Sequence, residues 1–428
     1  MASKSSFSVV IDIGTSKIVA LAGKKTEAGK IEISGVAKTP SKGIKRGVVF
    51  NIDEVADSIN QALFQLEKQI DEEITYVDVA YAGQYIKTVD FQNSKFTSDE
   101  GIVSKFDIDH LYNEAKKTEL EQGFKIIQVI PKSFVIDDET TELNPVGITG
   151  RKVEANYKLV IIPEEYLVNL QRVFDKIGIE LGEVTLSTLA ISEAVLTEDE
   201  KEMGAIVLDM GAGTTNLAVY YENMLIHTAV IPFGGSVITK DIKEGCSILM
   251  KLAEQLKVQY GQALGDFADD QKVVTIPSQN GWEPKEISFK SLAFIIQARL
   301  EEIIESVNHQ IEKSGIEGQL GAGIVVTGGT SKLNNFISLV KFHTGMDARN
   351  AVSVINPLYK NKDLQNSDNL TALGLLNLIL NKTEIPVIER TPKAKKKKES
   401  SGLSPWLTKV VQGVLNYVDD DNEDIALN

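Results

Sequence analysis

A distant internal repeat constrains the fold of this chain more than any other feature. Residues 7–22 (FSVVIDIGTSKIVALA) return in altered form as residues 205–220 (AIVLDMGAGTTNLAVY). Each copy has an apolar run, a short polar turn with glycine and a second apolar run, which is the pattern of strand, tight turn and strand. Two such units far apart in one chain predict two similar α/β halves that face each other, and not the many short copies of a solenoid.

The two turns contain residue types that suit a polyphosphate and its metal ion. Asp12 ends the first apolar run, Gly14 permits a tight turn, and the three residues after it offer hydroxyls, amides and a cation. In the second copy Asp209 precedes Gly211 and Gly213, which let backbone amides approach an anion closely. The predicted phosphate-binding residues are Gly14, Thr15, Ser16, Lys17, Gly211, Gly213, Thr214 and Thr215. Asp12 and Asp209 are predicted to hold Mg²⁺ from opposite sides through its water shell.

Other glycine-rich sites fit these turns less well. A single Asp-x-Gly-Thr segment is equally compatible with an ordinary hairpin, and the second copy is what favours a phosphate site. The segment from Gly211 to Gly213 is not a dinucleotide fingerprint, because a third glycine is missing and a strand pattern follows where that motif needs a helix. No Gly-Lys-Ser/Thr sequence closes it as a Walker loop.

A third glycine motif suits the nucleoside end of a nucleotide. Residues 323–336 (GIVVTGGTSKLNNF) predict a strand, a glycine pair and a helix start, against whose bare backbone an adenosine can lie. Glu254 and Lys257 lie one turn apart on a predicted helix and can reach ribose hydroxyls and the base, although a solvated salt bridge explains the pair equally well. The predicted adenosine-binding residues are Glu254, Lys257, Gly328, Gly329 and Ser331.

Composition excludes several classes of protein. A formal net charge of −15 over 428 residues argues against nucleic-acid binding by the main body. One cysteine, Cys246, allows no disulfide within the chain and fits a reducing cytoplasm, and the four histidines show no metal-ligand spacing. The polar N-terminus lacks a signal-peptide pattern, and the longest apolar stretch, residues 370–380, is too short for a transmembrane helix, which needs about 20 residues.

Hydrophobic periodicity places several further elements. Helical spacing is predicted over residues 52–70, 108–120 and 293–314, and over most of 235–261. Strands are predicted over residues 75–82, 126–129 and 158–162, with a small sheet formed by residues 273–276 and 286–289.

The paired hairpins, the connecting segment 186–196 and residues 326–330 (VTGGT) together resemble the actin/Hsp70/sugar-kinase ATPase core. Over nearly the whole chain the sequence is similar to the FtsA family of bacterial actin homologues. That similarity is carried by residues 35–37 (GVA), 43–49 (GIKRGVV), 129–131 (VIP), 144–150 (NPVGITG), 195–200 (VLTEDE), 227–228 (HT), 230–232 (VIP) and 321–329 (GAGIVVTGG).

The resemblance implies an α/β, actin-like (ribonuclease H-like) duplicated ATPase fold with an inserted α+β subdomain, then a flexible linker and a C-terminal amphipathic helix. The implied boundaries are 1–83 with 164–204 for the first half (subdomain 1A), 84–163 for the insertion (1C), 205–234 with 305–385 for the second half (2A, its final helix returning to 1A) and 235–304 for subdomain 2B. A basic linker at 386–402, the helix at 403–418 and an acidic tail at 419–428 complete the chain.

The resemblance also implies ATP and Mg²⁺ as cofactors, and a set of partners. FtsA proteins polymerise, bind the C-terminal tail of the tubulin-like protein FtsZ, and tie it to the cytoplasmic face of the inner membrane at the division septum, where other division proteins assemble. The tail site is expected near residues 235–300, where Arg299 matches a family arginine suited to a carboxylate. An exposed arginine is more often simply solvated.

The C-terminal segment predicts a membrane-binding helix from its residues alone. About 16 residues give roughly 24 Å of helix, and one stripe of it is apolar, after a linker rich in lysine. The predicted membrane-binding residues are Leu403, Trp406, Leu407, Val410, Val411 and Val414. Docking on another protein is the alternative. Lys409 is the helix's one charged residue, and the acidic tail after it would be repelled by anionic lipid.

The start of the connecting helix bears on hydrolysis. Actin and Hsp70 relatives place Gln or Glu there to orient the attacking water, whereas residues 186–190 (LSTLA) contain neither, so at most weak ATPase activity is expected. Glu193 lies too far along. Among alternatives, an Hsp70 chaperone would need a long substrate domain after the core, and a small-molecule kinase would need a catalytic carboxylate near an acceptor pocket. A PilM-like pilus-assembly adaptor shares the core, but the basic linker and terminal helix are not expected there.

Overall fold

A computed structural model describes residues 7–98, 101–276, 284–359 and 367–382. The predicted linker (386–402), amphipathic helix (403–418) and acidic tail (419–428) lie outside these residues, and so do the membrane-binding candidates on the helix. No helix within the described ranges combines the length and the apolarity needed to cross a bilayer.

The described residues form strands and helices in an order that repeats. The strands are β1 (Ser8–Ile13), β2 (Lys17–Lys25), β3 (Ile31–Pro40), β4 (Ile44–Lys45), β5 (Val48–Val49), β6 (Tyr76–Tyr81), β7 (Lys87–Phe96), β8 (Phe124–Ile136), β9 (Thr140–Glu142), β10 (Lys152–Pro163), β11 (Glu180–Leu186), β12 (Ala205–Met210), β13 (Thr215–Tyr221), β14 (Met224–Ile231), β15 (Val273–Ile276), β16 (Lys285–Ser288), β17 (Gly323–Thr327) and β18 (Ala348–Asn350). The helices are α1 (Ile52–Ile70), α2 (Lys105–Lys117), α3 (Glu164–Ile177), α4 (Ser187–Val195), α5 (Glu198–Met203), α6 (Gly235–Gly245), α7 (Met250–Tyr260), α8 (Phe289–Glu312), α9 (Phe336–Thr344) and α10 (Leu370–Asn381).

Two sheets share one topology. The first sheet has the order β3-β2-β1-β6-β11 and the second sheet has the order β14-β13-β12-β17-β18. In each, three antiparallel strands are followed by two parallel ones. Ile13 pairs with Ile18 across the first hairpin, and Met210 pairs with Thr215 across the second, so both turns have the same length. The predicted duplication and the actin-like α/β fold class are confirmed.

Helix α1 shows how local sequence fixes an element against the first sheet. The Asn51 side chain accepts hydrogen bonds from the backbone amides of Asp53 and Glu54, which otherwise lack partners in the first turn. The helix buries a stripe at helical spacing that includes Val55, Ile59 and Leu66, and it ends at Asp71 in the left-handed conformation. The predicted helix over residues 52–70 is confirmed.

Strands β7 to β10 form a separate sheet in the order β7-β10-β8-β9, with α2 packed against it over its own core. Helix α2 begins earlier than residue 108, where it was predicted, because Ser104 and Asp107 form a reciprocal capping box at its start. Helix α8 likewise begins at Phe289 and not at 293, since the Ser288 side chain caps it. The small sheet of β15 and β16 agrees with its prediction to within a residue.

Helix α10 packs against the first sheet, although it follows the second sheet in the sequence. Its apolar face shares a buried cluster with Val10 and Leu21. A Cβ atom placed on Gly374 would lie 1.7 Å from the carbonyl oxygen of Ala190 in α4, so the two helices touch backbone to backbone. This contact fixes the segment that leads into α10, which borders the site described below.

Candidate functional site

The two repeated hairpins face each other and have the same internal geometry. The Gly14 amide donates to the Lys17 carbonyl at 3.1 Å, and the Gly211 amide donates to the Thr214 carbonyl at 3.0 Å. A Cβ atom on Gly213 would lie 2.4 Å from the Thr15 hydroxyl oxygen, so the absence of a side chain at Gly213 is what lets the hairpins approach.

A cavity of about 550 Å³ opens between the hairpins and is within the size range of small-molecule sites. The structure brings most of the predicted site residues to its wall. These are Asp12, Gly14, Thr15, Ser16, Lys17, Asp209, Gly211, Gly213, Thr214, Glu254, Lys257, Gly328 and Gly329.

Two of the predicted residues do not line this cavity. Thr215 is the first residue of β13, and its buried hydroxyl donates to the Phe233 carbonyl at 2.9 Å. Ser331 lies in a short 3₁₀ turn, and its hydroxyl donates back to the Gly328 carbonyl at 2.8 Å. Both hydroxyls are therefore hydrogen-bonded to backbone carbonyls and do not face the cavity, which the motifs alone did not indicate.

The two aspartates at the strand ends have raised pKa values. Burial, followed by the charge of Asp209, raises the pKa of Asp12 to about 7, against a smaller opposing effect of Lys17. Burial also raises the pKa of Asp209, although a hydrogen bond from the Asn216 amide at 3.2 Å and the charge of Lys17 oppose it. Two carboxylates that repel each other from facing hairpins suit a divalent cation bound between them.

Nearby polar atoms are also consistent with a hydrated cation. Thr327 pairs with Asp209 across β12 and β17, and its buried hydroxyl oxygen has no hydrogen-bond partner, nor does the side-chain oxygen of Asn216. Such unpaired buried groups usually indicate water or a ligand. The donor set, oxygens alone with two carboxylates, fits Mg²⁺.

Asp368 and Lys332, which were not among the predicted site residues, complete the wall. Asp368 accepts salt bridges from Lys17 at 2.5 Å and from Lys332 at 2.9 Å, and all three side chains line the cavity. Lys332 lies within the glycine motif that was predicted to contact the nucleoside, whereas no local sequence pattern indicates Asp368. The Lys257 ammonium, predicted to reach the nucleoside, contacts Glu254 at 2.8 Å and the Gly235 carbonyl at 2.8 Å.

The start of α4 offers only hydroxyls. Ser187 lines the cavity, and the buried Thr188 hydroxyl lies 3.1 Å from that of Thr228. Glu193 lies further along the helix and contacts Lys201 at 3.4 Å and Asn377 at 2.9 Å. No carboxylate or amide side chain from residues 186–190 is available to orient a water molecule.

Arg299 lies on α8 and is already paired with carboxylates. Its guanidinium holds both oxygens of Asp241, at 2.5 and 3.2 Å, and contacts Glu302 at 2.5 Å. These contacts raise the pKa of Arg299 further above its ordinary value, with the Asp241 hydrogen bond as the largest cause. The arginine is suited to a carboxylate, and an incoming one must displace a neighbour.

Family models match two parts of the chain. A model described as cell division protein FtsA matches residues 206–374, and a model described as an SHS2 domain inserted in FTSA matches residues 83–173. The second match coincides with the separate sheet of β7 to β10 and with the helix that follows it.

Curated relatives and solved structures agree with these models. Proteins described as cell division protein FtsA are 34% identical in Neisseria meningitidis, 32% in Escherichia coli K12 and 31% in Bacillus subtilis. The matches cover 78%, 78% and 86% of this chain and 80%, 82% and 82% of those proteins. In fold, the chain is similar to a protein of the PilM-PilN type IV pilus biogenesis complex (TM-score 0.61, 17% identity, 87% and 98% of the two chains) and to MreB5 of Spiroplasma citri bound to ADP (TM-score 0.52, 14% identity, 88% and 99%). At these identities the likeness concerns the fold alone.

Proposed function

The chain belongs to the FtsA family of cell-division proteins, and on that premise we propose that it binds Mg-ATP between its two sheets and acts as a polymerising adaptor. The adaptor would tie FtsZ filaments to the cytoplasmic face of the cell membrane at the septum and help other division proteins assemble there. Because hydrolysis would be slow, the bound nucleotide would serve mainly to hold the two sheets together.

One observation supports the nucleotide site above all others. Asp12, Lys17 and Asp209, which come from two hairpins of identical geometry, line a single cavity of about 550 Å³. A repeated anion-binding turn on both sides of one cavity suits a ligand with several phosphates, because each hairpin can hold its own part of the charge.

Each part of the cavity has a definite task in this proposal. The amides of the two hairpin turns and the Lys17 ammonium bind phosphate oxygens, and Asp12 and Asp209 hold the hydrated cation. Gly328 and Gly329 leave room for the nucleoside, next to Glu254. When bound, Mg²⁺ would neutralise phosphate charge and relieve the repulsion between the two aspartates.

Equilibrium titration with a fluorescent ATP analogue tests this site. The native protein is expected to bind in the presence of Mg²⁺, and Asp209→Ala should weaken binding by at least tenfold. Asp175→Ala removes an exposed carboxylate on α3 and should bind as the native protein does. Failure of the native protein to bind, or equal binding by Asp209→Ala, would contradict the proposal.

The adaptor role rests on the family and on residues at two places. Arg299 would bind a carboxylate of the FtsZ tail in place of Glu302. The apolar stripe of residues 403–418 would enter the membrane surface. Arg299→Ala should weaken binding of an FtsZ tail peptide, while Arg172→Ala, an exposed arginine on α3, should not.

Co-sedimentation separates the two contacts. Deletion of residues 403–428 should abolish pelleting with liposomes and leave the binding of the FtsZ peptide unchanged. Pelleting by the shortened chain would show that the membrane contact lies elsewhere, and loss of peptide binding would show that the segment serves FtsZ instead.

A further inference from the structure

Every lysine that lines the cavity in the described part of the chain is already paired with a carboxylate. Lys257 contacts Glu254 at 2.8 Å, and Asp368 holds Lys17 and Lys332 through the same oxygen, at 2.5 and 2.9 Å. The Asp368 side chain is 24% exposed, so these pairs are screened only in part by water.

Asp368 joins elements that are distant in the sequence. Lys17 opens β2 in the first sheet, whereas Lys332 follows β17 in the second sheet. Asp368 itself lies just before α10, which is fixed against α4 and the first sheet. Through Lys17 on one side and Lys332 on the other, the carboxylate therefore connects the two walls of the cavity.

We propose that Asp368 is a placeholder for phosphate: it neutralises Lys17 and bridges the two walls while the cavity is empty, and a nucleotide must take Lys17 away from it. This inference rests on the proposed nucleotide site and adds an internal competitor to it. The two lysines hold the pKa of Asp368 at about 2, against the effect of its burial, so the carboxylate is charged at every physiological pH.

A placeholder has opposite effects on the empty and the filled protein. It stabilises the empty cavity through two ion pairs, and it opposes binding because its charge repels phosphate and because Lys17 must be released. A residue with a merely structural role would, when removed, lower both stability and affinity. A residue that contacts the nucleotide or its cation favourably would, when removed, lower affinity.

Asp368→Asn keeps the shape of the side chain and removes the charge. Its affinity for Mg-ATP should rise about two- to fivefold, the range expected for partly exposed ion pairs. Its unfolding midpoint in urea without nucleotide should fall. Asp368→Glu, which keeps the carboxylate, should stay near the native protein in both measurements. Asp347→Asn is the matched control, because it breaks an exposed ion pair of 3.1 Å with Lys341, and neither residue lines the cavity. This variant should leave the affinity for Mg-ATP unchanged.

The outcomes separate this inference from the proposed function. If the native protein does not bind Mg-ATP, the nucleotide site itself is wrong. If it binds and Asp368→Asn binds equally well or more weakly, the placeholder is wrong and the nucleotide site stands. If Asp368→Asn does not fold, Asp368→Ser takes its place, with the same rise in affinity expected and the same contrary results.

Discussion

At the scale of single residues, Asp12 sets a dependence on pH. Its pKa is about 7 in the folded protein and near 4 when unfolded, so the folded state binds more protons between these values. The contribution of Asp12 to stability is therefore most favourable below pH 4 and declines as pH rises through 7. Above pH 7 the empty protein carries the full cost of this buried charge.

Asp12→Asn should remove that cost. In urea denaturation without nucleotide or Mg²⁺, the variant should gain on the order of 1–3 kcal/mol over the native protein at pH 8, and less at pH 5.5. Asp175→Asn should show no such difference between the two pH values. A gain of the same size at both pH values, or a loss at pH 8, would show that Asp12 is not held in a raised-pKa environment.

The sequence located Asp12 and Asp209 because the repeat places each at the end of an apolar run before a glycine turn. It could not locate Asp368, which lies 351 positions from Lys17 and meets it only through the packing of α10. Thr215 and Ser331 sit in the right motifs, but their hydroxyls satisfy backbone carbonyls. Local motifs predict which residues approach a site, and packing decides which side chains point into it.

At the scale of elements, the contact between α4 and α10 depends on one missing side chain. Gly374→Ala would place a Cβ atom 1.7 Å from the Ala190 carbonyl oxygen, so α10 must shift away from α4. We expect a loss on the order of 3 kcal/mol in the free energy of unfolding, measured by urea denaturation. Gly318→Ala, where a Cβ atom meets open space, is the control and should change stability little. Equal stability of the two variants would mean that the helices do not touch as described.

The start of α4 also bears on the rate of ATP hydrolysis that we expect for the proposed site. Because Ser187 and Thr188 stand where a water-orienting amide or carboxylate would be needed, steady-state phosphate release should be slow. Phosphate release by purified protein measures it directly, with Asp209→Ala as the background. Rapid release by the native protein that Asp209→Ala abolishes would show that another group positions the water. The Gln128 side chain, which accepts the Leu186 amide at 2.9 Å, would then be the first to substitute.

At the scale of the whole molecule, the duplication could be predicted from two hairpins, and the shared strand order of the two sheets agrees with it. The return of α10 to the first sheet is not contained in any local pattern. It follows from the fit of an apolar helix, with glycine at its crossing point, against α4 and β1. The consequence is that the walls of the cavity come from chain segments far apart in sequence, and a ligand there is a link between the two sheets.

Such a link makes stabilisation by nucleotide a property of both sheets at once. At a hundred times its dissociation constant, a ligand adds about 2.7 kcal/mol to the stability of the state that binds it. Hydrogen exchange should therefore show slower amide exchange with Mg-ATP in β1 and β2 as well as in β12 and β13. Asp209→Ala lies in the second sheet alone, yet it should remove the protection of β1 and β2 too, while Asp175→Ala should keep both. Protection confined to one hairpin would mean that the nucleotide binds to one wall and does not join the two sheets.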